Sequence, residues 1–319
     1  MRISNKKLTL AIIFAIAIIL AVFAFQFRGD NVAVLNPKGI ISVAERNLIV
    51  FTVLLSLVVV IPVFFMTFYF AYKYREDNKS NVDYKPDWDH SSIAETIWWG
   101  VPLILIIILS TVTYNSSHDL DPFKPIESNT AAVNVQVVAM QWKWLFIYPE
   151  YGVASVNYLP FPEGTPVHFD ITSDAPMNSF WIPELGGQIY AMSGMNTQLN
   201  LMADKTGTFS GSSANISGKG FSKMRFTAES LSQADFDSWV DSARQSPDTL
   251  NYAAYDVLAR PGEVKYPISY ALASNDNIFH GAIMKYMILK PAISDMGSET
   301  KTSNDATDMS DMNNDGMGY

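Results

Sequence analysis

Val133-Asn134-Val135-Gln136-Val137-Val138 alternates apolar and polar side chains with a period of two, and Val167-His168-Phe169-Asp170-Ile171-Thr172 does the same. Alternation of this kind turns one row of side chains into a core and the other toward water, as in a half-buried strand. Asn196 to Met202 and Lys223 to Ala228 read the same way, with turns supplied by Glu163-Gly164-Thr165-Pro166 and Lys205-Thr206-Gly207. Several short strands punctuated by turn residues predict a β-sandwich or barrel. The pattern begins near Ala131 and ends near Ser230.

On the C-terminal side the signal becomes helical. Ser232 is placed to cap a helix, with Asp235 three residues later, and Phe236, Trp239, Val240 and Ala243 fall on one face before Pro247. A second helix is expected over Leu250 to Arg260, stopped by Pro261-Gly262, and a third over Ile278 to Ile288. From Ala292 the composition is Asp, Ser, Asn, Thr and Gly, and Asp295, Glu299, Asp305, Asp308, Asp311 and Asp315 face only Lys301. A segment so poor in apolar residues is predicted to be disordered.

On the N-terminal side lie three apolar runs. Leu8 to Phe25 follows Arg2, Lys6 and Lys7, the basic head of a secretory signal. Ala21 and Ala24 suit cleavage whereas Phe23 and Phe25 do not, so a cleaved signal and a retained anchor both remain open. Asn47 to Ala71 and Ile93 to Tyr114 are each about a bilayer long. Pro62 interrupts the first of these, and Trp98, Trp99 and Tyr114 mark the ends of the second. Lys73, Arg75, Lys79 and Lys85 lie between the two, so that loop is expected in the cytoplasm and the large domain after Tyr114 outside.

Composition sets further bounds. The 319 residues are 49% hydrophobic, enough for an anchor and one ordinary domain. The absence of Cys excludes disulfide and thiol chemistry, and the net charge of −9 argues against nucleic acid as a partner. His90, His118, His168 and His280 are scattered, with no second ligand at metal-binding spacing, and read as structural or solvated.

Four residues in the strand region carry a more specific signal. Ser213, Ser217, Phe221 and Met224 stand at the spacing S-x-x-x-S-x-x-x-F-x-x-M. Around them are Met177-Asn178-Ser179-Phe180-Trp181-Ile182-Pro183, Gln188-Ile189-Tyr190-Ala191, Gly218-Lys219-Gly220-Phe221 and, upstream, Gln141-Trp142-Lys143-Trp144. These motifs resemble subunit II of the haem–copper oxidases, most closely in the quinol-oxidising, cytochrome bo-type branch. The resemblance spans about Leu35 to Leu289. In the cytochrome c-oxidising branch the spacing reads Cys-x-x-x-Cys-x-x-x-His-x-x-Met and holds a two-copper electron-entry centre. The family's other His falls five residues before a Pro, which here is Asn178 before Pro183, and its carbonyl ligand falls at Asn215. Only Met224 survives. Serine oxygen is hard and stays protonated, phenylalanine has no lone pair, and asparagine offers only a carbonyl oxygen. The metal centre is therefore expected to be lost.

The resemblance implies a membrane-anchored α+β chain. It would comprise a signal peptide or uncleaved anchor (1–27), a periplasmic segment (28–46), a transmembrane hairpin (47–71 and 93–114) around a cytoplasmic loop (72–92), a cupredoxin-like Greek-key barrel (115–230), a C-terminal helical arm (231–290) and an acidic tail (291–319). It implies a non-catalytic subunit of a respiratory quinol oxidase in the bacterial inner membrane, without cofactor of its own. Haems and copper would belong to subunit I, the expected partner together with smaller membrane subunits and the bilayer. No docking of cytochrome c is expected. Trp142 and Trp144 lie where the family's aromatic electron relay runs, and without copper they are expected to serve packing and an interface. Glu95, in Ile93-Ala94-Glu95-Thr96-Ile97-Trp98, matches the family residue at the mouth of a proton path into subunit I. Its alternative reading is a solvated carboxylate favoured by a helix N-terminus. Two other functions stay open, a cytochrome c oxidase subunit II lacking a working copper centre and a free-standing membrane-anchored periplasmic binding module.

Overall fold

A computed structural model of the chain describes residues 32–75, 89–273 and 276–287. The expected signal or anchor at 1–27, Lys79 and Lys85 of the basic loop, and the acidic tail lie outside the described residues.

Helix α1 spans Ile40–Lys73 and helix α2 spans Ser92–Asp119. Their mean hydropathies over the most apolar stretch are 3.0 and 2.0, and both are long and apolar enough to cross a membrane. Each runs past the apolar stretch read from the sequence, α1 beginning at Ile40 and α2 ending at Asp119. Ser91 caps α2 by accepting from the Ala94 N–H, and Ser116 and His118 bond back to carbonyls one turn earlier. Pro62 lies within α1 without ending it.

The N-terminus of α1 is fastened to the β-domain. The Ser42 hydroxyl accepts from the Gly39 N–H at 3.2 Å and lies 2.8 Å from the Glu184 carbonyl, to which it donates. The Lys38 and Ser42 N–H groups donate to the Glu184 and Leu185 carbonyls. Gly39 bridges Ala203 so closely that a Cβ would sit 2.3 Å from the Met202 carbonyl, which demands glycine.

Among the described residues twelve strands form two sheets. They are β1 (Val133–Met140), β2 (Lys143–Tyr148), β3 (Val153–Val156), β4 (Tyr158–Pro162), β5 (Val167–Ser173), β6 (Asn178–Trp181), β7 (Ile189–Ala191), β8 (Thr197–Leu201), β9 (Gly207–Ser213), β10 (Arg225–Leu231), β11 (Thr249–Leu250) and β12 (Ile268–Leu272). One sheet runs β11-β12-β3-β2-β1-β5-β8 and the other β4-β10-β9-β6-β7. β1 pairs with β5 in parallel, matching Val133 to Val167 and Val135 to Phe169, so the two alternating stretches are neighbours in register. Between the sheets lies an aromatic core of Trp144, Phe146, Phe169, Phe180 and Phe226, with Phe180 stacked on Phe226 at 5.2 Å and Trp144 edge-on to both. The architecture is the expected α+β one, two apolar helices followed by a cupredoxin-like β-domain and an arm.

The arm departs from its purely helical expectation. Helices α3 (Gln233–Arg244), α4 (Tyr252–Leu258) and α5 (Ile278–Met287) are present, and Ser232 caps α3 by accepting from the Asp235 N–H. Phe236, Val240 and Ala243 are buried against the barrel and Trp239 packs beside them. Between these helices, however, β12 pairs antiparallel with β3, from Ile268–Val156 to Ala271–Val153, and β11 adds beyond it. The sheet thus does not end at residue 230. Its outer two strands come from the arm, because β3 would otherwise present an unpaired edge.

Candidate functional site: a copper frame refilled with hydrogen bonds

The positions singled out in the sequence are brought together at one end of the barrel. Asn178 begins β6, Ser213 ends β9, and the loop from Ala214 to Gly220 leads through one 3-10 turn (Phe221–Lys223) to Met224. Asn178, Ser213, Ser217 and Met224 are buried, whereas Asn215 and Phe221 are half-buried.

Their polar atoms satisfy one another. The Ser213 hydroxyl lies 3.1 Å from the Asn178 Oδ1 and 3.1 Å from the Asn215 carbonyl, and it accepts from the Ser179 N–H. The Asn178 Nδ2 donates to the Pro176 carbonyl at 2.7 Å, and the Asn215 Nδ2 donates to the Met177 carbonyl at 2.9 Å. Ser217 points its hydroxyl at the Met224 sulfur, 3.9 Å away, and the Ser213 N–H donates to the Met224 carbonyl. Buried polar groups are costly when unpaired, and here each finds a neighbour within the loop.

The donor set does not fit a mixed-valence copper pair. It holds no thiolate to bridge two metals and no imidazole, only neutral hydroxyl and amide groups and one thioether. Among the described residues no cluster of three or more His, Cys, Asp or Glu forms elsewhere.

Trp142 closes this loop from the side. Its Nε1 donates to the Ser217 carbonyl at 3.2 Å, and its ring lies over Gly220, where a Cβ would come within 2.3 Å of the indole. Trp144 behaves differently. It is fully buried against Phe180 and Phe226, with its Nε1 making no hydrogen bond, so its ring packs the core and cannot reach a partner. The interface expectation is left to Trp142, which is half-buried.

Glu95 lies in the first turn of α2, about two-fifths exposed, with its Oε1 2.7 Å from His90 Nδ1. His90, read as structural or solvated, is exposed and pairs with it. His168 lies 2.8 Å from the Asn200 Oδ1 on the neighbouring strand.

Two charged residues escaped the sequence reading. Asp174, buried just beyond β5, accepts from Tyr255 Oη at 2.8 Å, Tyr286 Oη at 2.6 Å and Lys285 Nζ at 2.8 and 3.0 Å. Burial, and then the Asp174 charge, push the Tyr255 hydroxyl far above the ordinary phenol range; the same two influences raise Tyr286. Lys143, between the two tryptophans, is buried with its Nζ donating to the Leu258 carbonyl at 2.8 Å and the Arg260 carbonyl at 3.0 Å, at the C-terminal end of α4. Burial holds its pKa below the usual lysine value. These two residues staple the arm to the barrel. An isolated acid at a strand end and an isolated base between aromatics carry no periodic signal, and their partners lie more than eighty residues away.

A β-domain of this build, following two apolar helices and ending in a strand-bearing arm, belongs to the subunit II class. The family of cytochrome c oxidase subunit II periplasmic domains matches residues 153–231, and the cytochrome oxidase aromatic-rich motif matches residues 244–289. The chain is 50% identical over 258 residues to cytochrome bo(3) ubiquinol oxidase subunit 2 of Pseudomonas putida, covering 81% of this chain and 82% of that one. The Pseudomonas aeruginosa protein of the same name is 46% identical over 82% of this chain and 79% of its own. Quinol oxidase subunit 2 of Bacillus cereus is 39% identical over 73% and 80%. Among solved structures, the periplasmic domain of cytochrome oxidase subunit II of Bradyrhizobium japonicum is 24% identical, covers 37% of this chain and 98% of its own, and superposes with a TM-score of 0.35. The chain belongs to the subunit 2 family of the cytochrome bo(3)-type ubiquinol oxidases.

Proposed function

We propose that this chain is the non-catalytic subunit II of a respiratory complex that oxidises a quinol, reduces oxygen to water and moves protons outward. Its helices would sit in the bacterial inner membrane with the β-domain in the periplasm, and its partner would be subunit I, holder of the haems, the copper and the quinol site. The observation that carries this reading is the frame of Asn178, Ser213, Ser217 and Met224, whose polar groups hydrogen-bond to one another and offer copper neither sulfur bridge nor imidazole. A quinol is lipid-soluble and delivers its electrons from the bilayer. Cytochrome c is a soluble protein and needs an external acceptor on the outer domain. With a quinol as donor such a relay has no task, and the domain is free to act as a scaffold.

The test is to purify the complex through an affinity tag on this chain and assay both donors. Oxygen uptake with a ubiquinol, no turnover with reduced cytochrome c, and copper at the level of subunit I alone are expected. Dinuclear copper in the isolated periplasmic fragment would overturn the reading, and recovery of the chain without a haem-bearing partner would favour a free-standing module.

Glu95 serves in this reading as the entry of a proton path into subunit I. Its support is a carboxylate at the start of a membrane helix, paired with His90 rather than with a lysine or arginine. Glu95→Ala is expected to slow oxygen reduction with assembly intact, and unchanged turnover would remove the role.

A further inference from the structure

A groove on the described outer domain is lined by three basic residues, and the chain carries a strongly acidic segment. The groove, of about 470 Å³, is lined by Lys223, Arg225 and Lys265 together with Tyr266 and Asn157, and Glu263 is the one carboxylate on its wall. Glu263 pairs with Lys223 at 3.1 Å. Arg225 and Lys265 are exposed and make no ion pair among the described residues. Four other basic side chains of this domain are engaged, Lys143 with the α4 carbonyls, Lys285 with Asp174, Arg244 with Asp241 and Lys124 with Asp119. In a chain of net charge −9, three cations on one groove mark a place for negative charge.

Residues 291–319 supply that charge, with Asp295, Glu299, Asp305, Asp308, Asp311 and Asp315 against Lys301. Connectivity brings the two together. Helix α5 ends at Met287, one residue beyond Tyr286, which is bonded to Asp174. Four residues after Asp174 comes Asn178, bonded to Ser213, and the Ser213 N–H donates to Met224, the residue between Lys223 and Arg225. Through these contacts the last described residue, Met287, is linked to the frame beside which the groove lies. Asp295 follows Met287 by eight residues, a reach of up to about 27 Å when extended. A tether of that length holds the acids at an effective concentration of about a millimolar, so that individually weak surface pairs suffice for occupancy.

We propose that the acidic C-terminal tail of this chain docks on the Lys223–Arg225–Lys265 groove, covering the side of the refilled copper loop. The partner is a segment of the same chain, and its recognition is ionic. Tyr266, 78% exposed at the rim, offers a ring against which tail methionines such as Met309 and Met312 pack.

The test is zero-length carbodiimide cross-linking of the purified, full-length complex, with peptide mapping by mass spectrometry. Tail carboxylates are expected to join Lys223 and Lys265 in preference to exposed Lys205. The yield should collapse at 1 M salt, where the screening length falls to about 3 Å. Arg225→Glu leaves both reporter lysines in place and replaces an exposed side chain, so the fold is kept. It is expected to cut these cross-links about fivefold or more, the factor for one surface pair lost and one repulsion gained. Cross-links spread evenly over Lys205 and the groove, groove lysines joined to another subunit instead of the tail, no cross-links, or a yield indifferent to Arg225→Glu would each overturn the proposal.

Discussion

Two buried polar regions lie within a few residues of each other and are built on opposite principles. At the refilled copper frame, Asn178, Ser213, Asn215 and Ser217 are neutral, and Asn178, Ser213 and Asn215 are satisfied by uncharged hydroxyl, amide and carbonyl partners, some two residues away and some across from the start of β6 to the end of β9 and its loop. At the arm staple, the buried Asp174 carboxylate gathers two phenols and an ammonium from helices over eighty residues away in sequence. The difference teaches what each region is for. A neutral network preserves the shape of a loop without holding anything external, whereas a charge-assisted cluster ties separate segments together, since bonds to a charged acceptor are about twice as strong as neutral ones.

The largest expected change comes from undoing the refilling. Asn178→His, Ser213→Cys, Ser217→Cys and Phe221→His in one chain, with Met224 and the Asn215 carbonyl already placed, are expected to restore a dinuclear copper site. Elemental analysis and the visible absorption of the purified periplasmic domain check this, and a colourless, copper-free product would show that the frame has lost its geometry as well as its ligands. Next comes Asp174→Ala, which leaves Tyr255 and Tyr286 without their acceptor and Lys285 without its counter-ion. It is expected to cost about 2–4 kcal/mol, discounted because Lys285 is half exposed, with protease cleavage appearing first in the arm. Gly220→Ala pushes a methyl into the Trp142 indole and is expected to cost about 1–3 kcal/mol, read as a lower melting temperature. Ser213→Ala removes one hydroxyl from a neutral network and should cost about 1 kcal/mol. If it costs as much as Asp174→Ala, the contrast between the two regions is wrong.

A pH effect separates the staples. Folding lowers the Lys143 pKa through burial, so in the alkaline window below the ordinary lysine value the unfolded chain binds more protons than the folded one. Stability from this residue therefore rises with pH through that window. Thermal melts of the wild type and Lys143→Met across it should converge or diverge accordingly, and parallel curves would refute the assignment.

Much of the fold was legible because it rests on local periodicity. The alternation at Val133–Val138 and Val167–Thr172, the Ser232 cap and the face formed by Phe236 and Val240 each state their structure within a few residues. The spacing of Ser213, Ser217 and Met224 likewise placed the frame through its resemblance to the family motif, and the pairing of β6 with β9 brings Asn178 to Ser213. What remained hidden was long-range. Ile268–Leu272 carries no clear alternation and follows Pro267, and it becomes a strand because β3 offers an open edge. Trp144, expected to serve packing and an interface, lies wholly in the core, since its neighbours Phe180 and Phe226 come from distant strands. Asp174 and Lys143 were unreadable for the same reason.

The pairing of β12 with β3 also has a bearing on biosynthesis. Val156 and its partner Ile268 are joined in the sheet, yet the ribosome makes the second long after the first. At about 5–20 residues per second, the intervening stretch takes roughly 6–22 seconds to emerge. Throughout that interval the outer edge of β3 is an open template for any other extended chain nearby. The edge of a strand made early is thus covered only by a strand made much later.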